Sequence, residues 1–403
     1  MNPLVLSGWG IKIRTENLKT ESALELWTGH QNTIMPTRMK FRPRRIPYDS
    51  VITDGYSGYI SLRGIHWLSR NNVPLYVLDL DGTLLSSILP ATPIKADLRV
   101  AQIQAATNSE KKFQIAHALE KAKLARSLQV LDWIADAYDI QRQVQAAKGE
   151  VSRLGNARTV KDLLAVEART AQRYWEAYAK ILPLDLEFQG RMTTRHNNNA
   201  SDPVNSALNF GYAVLEGECR RAINAVGLEA GVGFLHDFSD IETRQSLVYD
   251  LMEPYRWLID LTVLQAFQSR VLRLETFHFK FDDYRFRLNP DAKEQFIGLL
   301  KEQFNRGVQY KGQRMKWDTV IQEKTSELAR FLTGKASAVK FEKPNPILER
   351  TDDRELRSKI LRLSSSQARE LGIQKSTLHY LKRHASSPKP FVIYRETRQR
   401  LSA

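Results

Sequence analysis

Apolar positions change their period about a hundred residues into the chain. Before that point LVLSGWGIKIRT and VPLYVLDL carry β-branched and aromatic residues bounded by Gly, Asn and Pro, which predicts short strands. Between them ISLRGIHWLSRN has helical spacing at Ile60, Ile65, Trp67 and Leu68. From about residue 98 to 327 the pattern is that of long helices: QIAHALEKAKLARSLQVLDWIADAY, then EVSRLGNARTVKDLLAVEART, then the segments that begin DPVN and YDLM. Pro203 after Asp202 suits a helix start, where a missing N–H costs nothing. Pro254 falls inside a helical pattern and must open that helix or kink it. GLEAGVGFLH, with Gly227, Gly231 and Gly233 before His236, reads as a loop. KFEKPNPILERTDDRE, with two prolines and mixed charge, reads as a linker, and no internal repeat is visible. The expected class is α+β. A β-rich amino-terminal domain spans 1–97, a larger all-α domain 98–335, a linker 336–355 and a small helix-turn-helix domain 356–403.

That last domain rests on KILRLSSSQARELGIQKSTLHYLKRHA, read as helix, turn, helix, helix. Residues 364–366 supply serine N-caps, Gly372 can take the left-handed turn, and Ser376 is expected to cap the final helix. Ala368, Leu371, Ile373, Leu378 and Leu381 would form its core. Gln374, Lys375, Thr377, His379, Lys382 and Arg383 stay outward, where a DNA-recognition helix needs polar and basic reach. The alternative is a basic helical hairpin packed on the main domain.

Composition narrows the partners. Lys plus Arg total 60 against 45 Asp plus Glu, a net charge of +15 over 403 residues, which favours a polyanion. The basic excess is concentrated from Lys335 onward. No apolar run could span a bilayer and no signal pattern follows Met1, so a cytoplasmic nucleic acid is expected rather than a membrane. The single cysteine, Cys219, excludes an internal disulfide and a cysteine-based zinc cluster.

Within these bounds, three separated stretches carry candidate chemistry: LLAVEARTAQRYW around Glu167, GVGFLHDF around His236, and SLVYDLMEPYR with Asp250 and Glu253. Carboxylates with one imidazole form a mixed oxygen and nitrogen set that suits Mg(II) or Mn(II) in an open octahedron. Such an ion can neutralise a transferring phosphate, orient an attacking hydroxyl or water, and stabilise the leaving oxygen. Arg256, three residues beyond Glu253, could hold a phosphate oxygen. Each piece also has a plain structural reading: a solvated Asp-x-x-Glu face, a core histidine, a surface glutamate.

A competing motif is VLDLDGTLLSS. Asp79 to Thr83 match the Asp-x-Asp-Gly-Thr nucleophile motif of haloacid-dehalogenase-type phosphatases, where Asp79 would attack phosphate and Asp81 act as general acid. That fold needs alternating βαβ units after the motif, whereas long helices follow here, and only Asp282 with Asp283 resembles a later acidic partner. A β-turn with Gly82 at its bend accounts for the segment.

Taken together, LLAVEARTAQRYW, ASDPVNSALNFGYAVLEGECRRAINAVGLEAGVGFLHD and SLVYDLMEPYR resemble the core of the CRISPR-associated protein 1 family, the spacer-acquisition integrases. DGYSGYISLRGIHWLSRNNVPLYVLDLDGTLLSSILP resembles that family's amino-terminal β domain, and Arg99 with Gln102 fits the segment joining the two. The likeness runs in family order through about residue 335. It implies that Glu167 and His236 are metal ligands, with Glu253 and Asp250 filling the acidic positions of the third motif; of those two, Glu253 is expected to be the direct ligand. Arg256 matches a frequent basic position. Ala168 stands where glycine is common, and Asn197, Asn198 and Asn199 replace a more basic stretch.

The appended helix-turn-helix resembles casposases, related integrases that move their own element. The expected reaction is then metal-dependent attack of a donor DNA 3′-hydroxyl on a target phosphodiester, with water as substitute in an endonuclease reaction. Two donor ends need two active sites, so a homodimer or tetramer on donor and target DNA is expected. CRISPR spacer acquisition, with a possible partner protein, is the alternative. More remote readings are a phosphatase and a non-catalytic DNA-binding regulator.

Overall fold

A computed structural model describes residues 1–17, 22–29, 36–55, 57–79, 82–91, 95–135, 140–191, 200–236, 245–280, 285–341, 345–346, 354–386 and 400–401. Asp81, Asn197, Asn198, Asn199, Asp282 and Asp283 lie outside that set, as does much of the expected linker.

Strands β1 (Pro3–Ser7), β2 (Ile11–Asn17), β3 (Ser22–Trp27), β4 (Arg38–Phe41), β5 (Ser50–Asp54), β6 (Gly58–Ile60), β7 (Leu75–Leu78) and β8 (Leu84–Ile88) build two sheets. Their orders are β1-β5-β7-β8 and β4-β3-β2-β6. Helix α1 (Leu62–Arg70) starts at Ser61, whose hydroxyl accepts from the Gly64 N–H at 3.0 Å. Period-two alternation decides which face each residue takes. Leu4, Leu6, Val51 and Leu75 meet Ile11, Ile13, Leu24, Leu26, Trp67 and Leu68 in a core between the sheets. Ile52, Tyr76 and Leu78 point the other way, into the helical domain. Tyr76 fixes that join by donating its hydroxyl to the Gly217 carbonyl at 2.7 Å.

Asp79, Gly82 and Thr83 lie at the connection between β7 and β8. The Asp79 N–H reaches the Thr83 carbonyl at 2.8 Å and Gly82 has φ of 82°. Because β8 returns antiparallel to β7, the motif lacks the parallel βαβ setting of a phosphatase nucleophile.

The helical region comprises α2 (Ala96–Thr107), α3 (Ser109–Ala135), α4 (Gln141–Val151), α5 (Val160–Ile181), α6 (Pro203–Val226), α7 (Ser246–Met252), α8 (Arg256–Gln268), α9 (Pro290–Asn305) and α10 (Trp317–Leu332). As the proline pattern predicts, α6 begins with Asp202 capping the Asn205 N–H at 2.8 Å and Pro203 in the first turn. Helix α6 is buried on nearly all sides and forms the centre of the domain. Short strands also interrupt this region: Phe277–Lys280 pairs with Arg285–Leu288, and Val308–Tyr310 with Gln313–Met315. FHFK and RFRL alternate aromatic and basic residues, a period-two signal too short to stand out between long helices. No helix among the described residues is long and apolar enough to cross a membrane.

Beyond residue 353, α11 (Arg354–Arg362), α12 (Ser365–Glu370) and α13 (Lys375–Ala385) share a separate core of Ile360, Leu363, Ala368, Ile373, Leu378, Leu381, Ala385 and Leu401. Ser364 and Gln367 cap α12 reciprocally, and Gly372 turns at φ of 67°. Helix α13 starts at Lys375, ahead of the Ser376 cap expected from sequence. Burial of Ile373 anchors the turn, so the chain enters the helix directly afterwards.

Candidate active site

The three stretches meet around a cleft of about 240 Å³ between α3, α5, α6 and the α7–α8 junction. Glu167 reaches it from the middle of α5, whose register is set by the Thr159–Asp162 capping box. Glu253 reaches it from a single tight turn, Glu253–Tyr255, into which Pro254 breaks the α7–α8 run. The break matters for geometry: Asp250 and Glu253 lie three residues apart, yet they do not share the cleft.

Asp250 is fully buried and faces the loop before α7. One carboxylate oxygen accepts the Phe234 and Leu235 N–H groups at 2.5 and 3.0 Å. The other accepts the His236 N–H at 2.9 Å and lies 2.8 Å from His236 Nδ1. With three backbone donors on this carboxylate, it is the acceptor for Nδ1–H, which leaves the Nε2 lone pair of His236 for the cleft. Only glycine permits this approach: a Cβ at Gly233 would sit 2.7 Å from Ser246 Cβ and 2.9 Å from an Asp250 oxygen. The start of the same loop is clamped by Gln102. Its amide donates to the Glu229 and Val232 carbonyls at 2.8 and 2.7 Å and accepts the Glu229 N–H at 2.8 Å. Arg99 pairs with Glu229 at 3.3 Å.

Lys123, on α3, was not singled out by sequence. Its ammonium stands 2.7 Å from Glu167 Oε1 and 2.7 Å from Glu253 Oε2. Arg256 donates to the other Glu253 oxygen at 3.0 Å. Burial opposes ionisation of Glu253, but Arg256, Lys123 and His236 hold its pKa down at about 2. Glu120, one turn before Lys123, is fully buried and neither carboxylate oxygen has a hydrogen-bond partner. Burial pushes its pKa up to about 8 against the pull of Lys123, helped by the charges of Glu253, Glu167 and Asp250.

Further along the cleft, two guanidiniums stand over the Tyr212 ring, Arg256 at 4.8 Å and Arg191 at 5.3 Å from its centre. Arg191 is held by the Asn205 and Asn209 side chains at 3.0 and 2.9 Å. The Tyr212 and Tyr174 hydroxyls donate to buried Asp260 at 2.5 and 2.9 Å. Burial raises the pKa of Asp260 to about 6 against those two hydrogen bonds. Arg126 also lines the cleft, 5.4 Å from the Trp257 ring centre. The far wall is therefore cationic and aromatic, next to an acidic end formed by Glu167 and Glu253.

Among the described residues no three His, Cys, Asp or Glu side chains are gathered closely enough to cage a metal ion. The donor set still suits one. Two carboxylates from different helices converge on a single cation, the Lys123 ammonium, and a backbone-fixed imidazole lines the same cleft. Of the residues expected from sequence, Glu167, His236, Glu253 and Arg256 come together there, and Asp250 supports His236 from behind. Gln374, Lys375, Thr377, His379, Lys382 and Arg383 do not line the cleft. They occupy α13 and the residue before it, with Gln374, Lys375, His379 and Arg383 exposed. Cys219 is buried in α6 as a free thiol. Lys123 and Glu120 were hidden because EKAK in a long helix reads as a solvated pair. The apolar residues on both sides of it, Leu119, Ala122 and Leu124, are the available sign of burial.

A bundle that buries α6, faces acidic and imidazole side chains across a cationic cleft, and carries an amino-terminal double sheet is an architecture shared with CRISPR-associated Cas1 proteins. The profile of the family described as CRISPR associated protein Cas1 matches residues 30–302, and the chain belongs to that family. A CRISPR-associated endonuclease Cas1 of Archaeoglobus fulgidus is 26% identical over 294 residues, covering 68% of this chain and 84% of the relative. That of Methanopyrus kandleri is 33% identical over 251 residues, covering 60% and 74%. Among solved structures, a casposase bound to integration product superposes with a TM-score of 0.81 at 33% identity, covering 90% of this chain and 99% of that one. A Cas1 protein of Thermotoga maritima shares the fold, with a TM-score of 0.65 at 18% identity over 85% and 100%.

Proposed function

We propose that this chain is a divalent-metal-dependent DNA integrase of the casposase kind, joining a donor 3′-hydroxyl to a target phosphodiester by transesterification. The observation that carries the reading is the convergence of Glu167 and Glu253 on one cation position in a cleft also lined by His236. Glu167, Glu253 and the Nε2 of His236 would hold Mg(II) or Mn(II). When bound, that ion supplies charge neutralisation at the transferring phosphate and lowers the cost of an attacking oxyanion. Asp250 fixes the ring orientation and tautomer of His236. Arg256 and Arg191, braced on Tyr212, offer hydrogen bonds to the non-bridging oxygens of the target phosphate. In the absence of a donor end, water in the same place gives nicking.

The casposase reading is supported by the 33% identity to the casposase across 90% of this chain, and by the basic three-helix tail. Lys375, Thr377, His379, Lys382 and Arg383, with Gln374 at the helix start, would face DNA from that tail. Two donor ends joined to opposite strands require two copies of the cleft, so a dimer or larger assembly is part of the proposal. Spacer acquisition in a CRISPR system is the second reading, favoured by the likeness to the Archaeoglobus fulgidus and Methanopyrus kandleri endonucleases. The test is integration by purified protein alone, using an oligonucleotide with terminal repeats as donor and a supercoiled plasmid as target. Covalent joining is expected from a 3′-hydroxyl donor and none from a 3′-deoxy donor. Joining that needs a second protein would favour the CRISPR reading, and an absence of any metal-dependent strand cleavage would refute both.

A further inference from the structure

Two features of α3, one half-buried and one fully buried, are not used by the reaction just described. Lys123 Nζ occupies the point on which Glu167 and Glu253 converge, 2.7 Å from each. Three residues earlier, Glu120 is fully buried in the cleft wall with both carboxylate oxygens unbonded. Residues three apart on a helix lie on one face, within reach of a lysine rotamer change. A buried carboxyl with no hydrogen bond is costly and calls for a partner that arrives in another state of the protein. A divalent cation between Glu167 and Glu253 cannot share that point with an ammonium, since the two like charges would repel in a poorly solvated cleft.

We propose that Lys123 is an exchangeable internal counter-ion. Its ammonium holds Glu167 and Glu253 together when no metal is bound, and it swings to Glu120 when a divalent cation takes its place. The inference rests on the metal reading of the site and adds to it a reason for Lys123 and Glu120. Without such a counter-ion the two ligands would repel each other and splay before metal arrives. With it, the acidic pair is assembled in advance, at the cost of a competitor that metal must displace. Glu120 lowers that cost by giving the displaced ammonium a hydrogen-bonding acceptor.

The test is Mn(II) binding by the full-length protein, measured calorimetrically at one fixed pH, together with the metal-free melting temperature. Lys123→Met should bind Mn(II) about tenfold tighter or more, because nothing has to be displaced, and should melt lower without metal. Glu120→Met, which removes both accepting oxygens, should weaken Mn(II) binding about fivefold in the wild-type background and have no effect in the Lys123→Met background. That loss of coupling separates an exchanging lysine from a lysine that merely adds positive charge nearby. Unchanged or weaker Mn(II) affinity in Lys123→Met, or an equal Glu120→Met effect in both backgrounds, would overturn the exchange. Wild-type binding that is absent, or that survives in Glu167→Ala, would overturn the metal reading itself and the exchange with it. If Lys123→Met does not fold, the Mn(II)-bound crystal structure of the wild-type protein decides. Lys123 Nζ should lie within hydrogen-bond distance of Glu120, and an ammonium still bridging Glu167 and Glu253 would contradict the proposal.

Discussion

Replacing Asp250 by Asn changes a single atom and separates a ligand of the site from its support. The carboxylate accepts four N–H groups, two on each oxygen, from the backbone of Phe234, Leu235 and His236 and from His236 Nδ1. An amide keeps one accepting oxygen and turns an NH2 toward the other two donors, whichever way it is placed. Two hydrogen bonds to a charged acceptor, each contributing roughly 1.5–3 kcal/mol, are lost. Because the group is fully buried, no water can restore them. The expected destabilisation is about 3–5 kcal/mol, near 10 °C in melting temperature for a domain of this size. With the NH2 turned toward His236, the Nδ1–H acceptor is lost as well, which should free the His236 ring and weaken Mn(II) binding by roughly 10- to 100-fold. Glu253→Gln should abolish Mn(II) binding outright and also lower the melting temperature, because it takes the carboxylate charge away from Lys123 and Arg256. Differential scanning fluorimetry and calorimetric Mn(II) titration of both variants give the answer. An Asp250→Asn protein that melts like wild type and loses metal outright would show that Asp250 is itself a ligand, refuting its assignment as the support.

Other perturbations test neighbouring parts of the account. Gly233→Ala places a methyl against Ser246 and Asp250, so strand joining and stability should both fall, by about 1–3 kcal/mol for the latter, in a melting and joining assay. Glu25→Gln in β3 removes the buried partner of Arg14 and Arg38; it should cost roughly 1 kcal/mol at neutral pH, since both arginines are half exposed. Burial raises the pKa of Glu25, but hydrogen bonds from Arg38 and Arg14 bring it down from 4.5 to about 2. A lowered carboxyl pKa stabilises fully above the ordinary value, so the gap between wild type and variant should be widest above pH 4.5 and close toward pH 2. In the tail, Lys382→Ala should weaken DNA binding alike on all sequences and flatten its salt dependence, whereas Gln374→Ala should blunt discrimination between sequences. Equal site preference after truncation before Lys359 would remove the tail from DNA reading.

Much of this architecture is legible in periodicity, because strands and helices bury different faces. The alternation Ile11, Ile13 in β2 and the Asp202–Pro203 start of α6 could be read directly from the chain. Pro254 also announced a break, but its consequence was not readable. The break turns Asp250 toward the 233–236 loop and Glu253 toward the cleft, a distinction that two acids three residues apart do not reveal. Lys123 and Glu120 were illegible for another reason. Local sequence records that a residue is charged, while its burial is set by α5 and the Glu253–Tyr255 turn, which arrive from more than forty residues away. Gln102 is similar: a polar residue in a helix becomes a clamp only because residues 229–232 pass across it.

The most direct measurement is strand joining by Glu167→Gln and Glu253→Gln proteins at saturating Mn(II), with DNA affinity measured on the same preparations. Both substitutions keep shape and remove one carboxylate charge from the convergence point. The wild-type protein should join 3′-hydroxyl donor ends to plasmid, while each variant should bind DNA as wild type does and lose joining by about a thousandfold or more. Joining at near-normal rate by either variant would take that glutamate out of the reaction and leave the cleft without its proposed chemistry.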